Sequence, residues 1–184
     1  MNELKGLLKY YRYCPRILSL HIFCALIAWF APADVLVRYQ ILADFVSWVS
    51  RVFPVVNEAA RKSVFPGVMG LYFSIMYALL PMRIFDSARA FYMGRGGTVV
   101  AIRRSFVKRV ILSIGVAFFF VFGVASVLFG RPYYEINILP ISESRFLLGL
   151  IGPVFAGGAE GFGVAVGFVW IFIFISWVFC KIKG

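Results

Sequence analysis

Apolar runs of membrane-spanning length alternate along the chain with short polar links and with stretches whose polar residues recur at helical spacing. Ile17 to Val37, Val64 to Met82 and Val110 to Phe129 each come close to the ~20 residues that a helix needs to cross about 30 Å of hydrocarbon. They predict spans one to three. The last run, Phe146 to Cys180, has 35 residues and would be about 50 Å long as a single helix. That is too long for one span and too short for two, and Gly152, Pro153, Gly157 and Gly158 supply a break. The expectation is a short apolar segment, Phe146 to Ala156, dipping into the outer leaflet or packed over the bundle. A fourth span follows, from about Phe162 to Cys180.

Between spans one and two, Gln40, Asp44, Ser47 and Arg51 form a polar stripe, with Ile41, Phe45, Trp48, Val49 and Val52 on the other faces. The pattern predicts an amphipathic helix, interrupted by Pro54, lying in the outer interface with Trp48 at headgroup depth. Asn57, Glu58, Arg61 and Lys62 then form a polar link into span two. There, Pro66 suits a first turn, where its missing N–H costs little, and Pro81 marks the end. Gly67, Gly70, Ser74 and Ala78 recur at three and four residues, so one face of this span carries only small side chains. Such a face is a seam on which another membrane helix can pack closely. Span three interleaves Phe118, Phe119, Phe120 and Phe122 with Gly115, Ala117, Gly123, Ala125 and Ser126, large against small.

Charge gives the spans a direction. The segment Arg83 to Arg109 carries seven basic residues and one acid, and short loops of this kind stay in the cytoplasm. The amphipathic lead-in, residues 1–16, adds Lys5, Lys9, Arg12 and Arg16, and the last span is followed by Lys181 and Lys183. With these three segments inside, thirteen of the nineteen basic residues and only Glu3 and Asp86 lie on the inner side, so the whole net charge of +11 lies there. The expected topology is four spans with both termini cytoplasmic, in a bacterial inner membrane. A basic lead-in, an apolar run and Ala31-Pro32-Ala33 also fit a secretory signal; an uncleaved signal-anchor is favoured, and cleavage would not turn the other spans around. Arg95, Arg103, Arg104, Lys108 and Arg109 are candidates to hold anionic headgroups or a cytoplasmic partner. Gly94-Arg95-Gly96-Gly97 is a turn and not a phosphate loop, since no Lys-Ser or Lys-Thr follows at the required spacing. With 62% hydrophobic and 15% charged residues, and with the basic residues in short loops between apolar runs, nucleic acid is not the expected partner.

Candidate chemistry is sparse. His21 reads as a hydrogen-bonded packing residue and Asp34 as an acid in the outer loop. Glu160 lies 20 residues before Cys180, about 30 Å along a helix, which predicts a solvated carboxylate at the outer surface. It is the one polar residue kept as a functional candidate, because a carboxylate at the bilayer centre would be an ion or proton site. Cys14, Cys24 and Cys180 show no metal-ligand spacing and read as free thiols. No nucleophile–base pair, metal set or cofactor motif can be assembled, so neither enzymatic activity nor a cofactor is expected.

The layout resembles that of the immunity proteins against pore-forming colicins of the A type. Both have four spans, ends inside, a basic central loop and a Gly-Arg-Pro at the exit of span three, here Gly130-Arg131-Pro132. The resemblance implies spans and outer loops that intercept incoming pore-forming helices, and no catalytic residues. The leading expectation is a non-enzymatic, helix-packing subunit of an envelope assembly or a homo-oligomer. Bacteriocin immunity and a small transporter or channel subunit are the alternatives.

Overall fold

The structure is a computed structural model that describes residues 10–94, 106–129 and 139–182, all helix, turn or connecting loop, with no strand among them. A helical turn at residues 10–13 leads into α1 (Pro15–Phe30), followed by the single turn α2 (Val35–Arg38), α3 (Gln40–Val52) and α4 (Val55–Lys62). Then come α5 (Pro66–Ala78), α6 (Leu80–Gly94), α7 (Phe106–Phe129), α8 (Arg145–Phe155) and α9 (Gly158–Ile182). Prolines punctuate the beginnings. Pro15 and Pro66 open α1 and α5, Pro54 caps α4, and Pro81 lies in the first turn of α6. Each sits where a helix has no acceptor for the N–H that proline lacks. At α8 the Ser144 hydroxyl accepts from the Leu147 N–H at 3.4 Å, a polar cap.

Several expected boundaries move. The first apolar run is helical for only 16 residues, about 24 Å. Pro81 does not end span two; the helix breaks just before it, at Leu79, and α5 and α6 meet at a bend of 54°. The last apolar stretch turns at Ala156–Gly157, within the expected region. Gly157 has φ +76, a left-handed conformation that suits glycine. Pro153, by contrast, sits inside α8. Across that turn, Arg145–Ile171 is a 27-residue run of mean hydropathy 1.6, long and apolar enough to cross a membrane. It starts well before the expected span at Phe162. The bent pair α5–α6 qualifies as a second crossing if it counts as one span.

The core is built around α5, where Val68, Met69, Tyr72, Phe73 and Met76 are fully buried. Helices α1, α2, α3 and α4 pack around it. Ile141, in the loop before α8, completes this layer, and the neighbouring Ser142 carbonyl accepts from Ser63 Oγ at 2.9 Å and from the Val64 N–H at 3.1 Å. The amphipathic stretch therefore packs on the bundle: α3 buries Val46 and Val49 while Ile41, Trp48 and Val52 stay exposed.

The small-residue face of α5 is occupied within the chain. Gly70 and Ser74 are buried, and Gly67 and Ala78 are half-buried. A Cβ on Gly67 would stand 2.8 Å from the Ala33 carbonyl oxygen, and one on Gly70 would stand 3.5 Å from Val46 Cγ1 and 3.6 Å from Ala60 Cβ. Within the chain, Gly67 and Gly70 of the seam thus face α2, α3 and α4. Gly70→Leu should overfill this contact and lower the melting temperature of the solubilised protein, at a cost of about 1–3 kcal/mol. Unchanged melting with an altered size distribution would return the seam to an intermolecular role.

A second layer is formed by α6, α7 and α9, with α9 in contact with both others. Small residues set its spacing. A Cβ on Gly123 would lie 2.9 Å from the Glu160 carbonyl oxygen, and one on Gly167 would overlap the Phe120 ring. In the first layer, α8 lies along α1, where Gly149 admits the Trp29 indole and Trp29 stacks on Phe146 at 6.2 Å between centroids. Arg145 Nη1 donates to the Ala31 carbonyl at 2.7 Å, which pins the start of α8 to the end of α1.

Candidate functional site

A helix that breaks leaves main-chain carbonyls without an N–H from the next turn. Two such breaks, at Leu79 and at Ala156–Gly157, meet around one side chain. The Gly157 N–H turns back to the Phe155 carbonyl at 3.0 Å, so it is not available to Pro153. Arg83, three residues into α6, takes over the orphaned acceptors. Its Nη1 donates to the Met76 carbonyl at 3.2 Å and to the Ala156 carbonyl at 2.7 Å, and its Nη2 donates to the Pro153 carbonyl at 2.9 Å. Arg83 is only 5% exposed. Guanidinium suits this position because its planar fork serves several acceptors at once and keeps its charge when buried.

Arg83 also forms part of the wall of a crevice of about 710 Å³ between α1, α6, α7, α8 and α9. Part of the lining is polar. The Tyr10 hydroxyl and Ser87 Oγ share a hydrogen bond of 2.7 Å, and the Tyr11 hydroxyl and His21 Nδ1 share one of 2.9 Å. His21 Nε2 is buried with no hydrogen-bond partner among the described residues. Burial raises the Tyr10 hydroxyl above its ordinary value, with the Ser87 hydrogen bond opposing. Close by, the Cys14 thiol donates to the Asp86 carbonyl at 3.2 Å. Burial first, and then the Asp86 carboxylate, push it up to about 11, so it stays protonated near neutral pH. The remainder of the wall is aliphatic and aromatic: Ile17, Val116, Leu150, Val154, Phe162 and Val166.

Glu160 is 2% exposed and stands in the first turn of α9, which overturns its expected place in solvent. The neighbouring Gly157, Gly158 and Ala159 line the same crevice as Tyr10, Tyr11 and Ser87. His21 is hydrogen-bonded, as its isolation in sequence suggested. Asp34 accepts from Arg38 Nε at 2.6 Å in an exposed pair one turn apart, an arrangement that contributes little to stability.

Arg95, Arg103 and Arg104 lie outside the described residues, as does Gly130-Arg131-Pro132, and of Lys108 and Arg109 only the helical backbone is described. Sequence reasoning missed Arg83 because it counted this residue among the loop charges. The available signal was its setting, directly after Pro81 and flanked by Met82, Ile84 and Phe85. Cys14 and Cys24 are free and buried. Among the described residues no three His, Cys, Asp or Glu side chains gather closely enough to hold a metal ion. The site therefore offers a fixed positive charge and hydroxyl groups together with apolar walls. No family model matches this chain, and no curated protein or solved structure matches it significantly.

Proposed function

We propose that the chain is a non-enzymatic polytopic protein of a bacterial inner membrane that works by helix packing. Its four membrane elements would be α1, the bent pair α5–α6, α7 and the α8–α9 run, with both termini in the cytoplasm. The observation that carries this is the direction of the large apolar side chains. Helix α1 turns Ile22, Phe23 and Phe30 outward, α7 turns Ile114, Phe118 and Val121 outward, and α8 does the same with Phe146, Leu150 and Val154. These residues recur at helical spacing and form continuous stripes, whereas soluble proteins rarely expose large contiguous apolar patches. Lipid is the solvent such stripes fit, and the concentration of basic residues on one side supports the orientation.

Helices α1 and α5 are short for a bilayer of ordinary thickness, a mismatch that local thinning and interfacial side chains accommodate at modest cost. Partner helices, in this account, meet the outward face of α7, because the small-residue face of α5 is filled within the chain. Membranes from cells expressing the protein should retain it through alkaline carbonate extraction and release it only into detergent. Recovery of a folded monomer in the carbonate supernatant would contradict the proposal.

A further inference from the structure

We infer that the crevice around Arg83 binds an anionic amphiphile, with its carboxylate or phosphate group on the guanidinium and its hydrocarbon chain along the apolar wall. The first ground is charge. Arg83 is buried, and its hydrogen bonds go only to main-chain carbonyls. No carboxylate among the described residues forms an ion pair with it. Carbonyl dipoles satisfy part of the donor set but do not neutralise a buried cation, and an uncompensated buried charge is costly. The Nε–H and one Nη2–H remain for a further acceptor.

The surroundings of the guanidinium suit the same group. Tyr10, Tyr11 and Ser87 bring hydroxyls to the same crevice. Adjacent breaks in two apolar helices, lined by a charged residue, are also how membrane proteins commonly build sites for charged ligands.

The remaining walls decide between a free anion and an amphiphile. Inorganic phosphate gains nothing from Ile17, Val116, Leu150 and Val154, but an alkyl chain does. At about 710 Å³ the crevice lies within the roughly 300–1,000 Å³ usual for small-molecule sites. Leu150, Val154 and Phe162 belong both to the crevice and to the exposed apolar surface, so a chain can enter sideways from that surface. The crevice is a property of the folded chain whether or not the bundle lies in a bilayer. A binding assay and the carbonate extraction therefore fail separately.

The test is displacement of a dansyl-labelled fatty acid from the full chain in neutral detergent. Palmitate and hexadecyl phosphate should displace the probe, hexadecanol should do so about tenfold less well or worse, in line with the loss of charge-assisted hydrogen bonds, and inorganic phosphate should not. Arg83→Gln should weaken palmitate by about tenfold. Val154→Trp should narrow the crevice and weaken palmitate without touching the charge, and since Val154 is 57% exposed this variant serves even if Arg83→Gln fails to fold. Equal displacement by hexadecanol and palmitate, undiminished binding in Val154→Trp, or displacement by inorganic phosphate alone would each overturn the assignment.

Discussion

Replacing Arg83 with methionine lowers the unfolding free energy of the solubilised protein by about 3 kcal/mol, read as a shift in thermal or denaturant unfolding. Two effects oppose each other. Removing a buried cation relieves its desolvation cost, but it strands the carbonyls of Met76, Pro153 and Ala156, each worth about 1–3 kcal/mol when buried without a donor. The second effect wins because all three acceptors belong to main chain fixed by helices on either side, which cannot turn to find other donors. Guanidinium is also less strongly hydrated than an ammonium, so the relief is smaller than for lysine. Arg83→Lys should fall between the wild type and Arg83→Met, because a point charge reaches fewer of these acceptors than a planar fork. An Arg83→Met variant that unfolds with the wild type would mean that the two breaks hold without their bridge.

The second large effect is at the contact between α7 and α9. Gly123→Leu should cost about 3 kcal/mol or abolish the fold, because the added Cβ would meet main chain, 2.9 Å from the Glu160 carbonyl oxygen and 3.2 Å from the Val164 nitrogen. Backbone cannot rotate away as a side-chain tip can, so the helices must separate. Gly115 is the internal control. Nothing lies within 4 Å of a Cβ built there, and Gly115→Ala should be neutral or stabilise by up to about 1 kcal/mol through helix propensity. The pair reads close approach of helices apart from glycine's effect on helix formation, since both positions lie in α7. Equal melting temperatures for Gly123→Leu and Gly115→Ala would show that α7 and α9 do not pack in this way.

Much of the helix pattern was legible in the sequence, and the misreadings share a cause. Proline lacks an N–H wherever it stands, so Pro81 reads equally as the end of one helix or the first turn of the next. Only the bend at Leu79 decides between them. Gly157 marks the break because few other residues suit its left-handed turn, but nothing local says that Pro153 stays helical.

The small face of α5 was visible in the spacing of Gly67, Gly70, Ser74 and Ala78. Its partner was not, because small residues specify close approach without specifying what approaches. Burial was hidden for a different reason. Glu160 was read along its own helix from Cys180, whereas whether its carboxylate meets solvent is set by neighbours distant in sequence. Arg83 itself was hidden by company, since one more arginine beside a basic segment looks like a topology signal.

The most direct measurement of the central claim is cysteine labelling with a membrane-impermeant maleimide in spheroplasts, in a background with the native cysteines replaced. Asn57 and Glu143 are exposed in the structure, whereas Ser142 next to Glu143 is buried, so Asn57→Cys and Glu143→Cys are the outer probes. Gly96→Cys, in the basic segment, is the inner probe. The account predicts reaction at positions 57 and 143 from outside, and at position 96 only after permeabilisation. Reaction at position 96 in sealed spheroplasts, or protection at both 57 and 143, would contradict it.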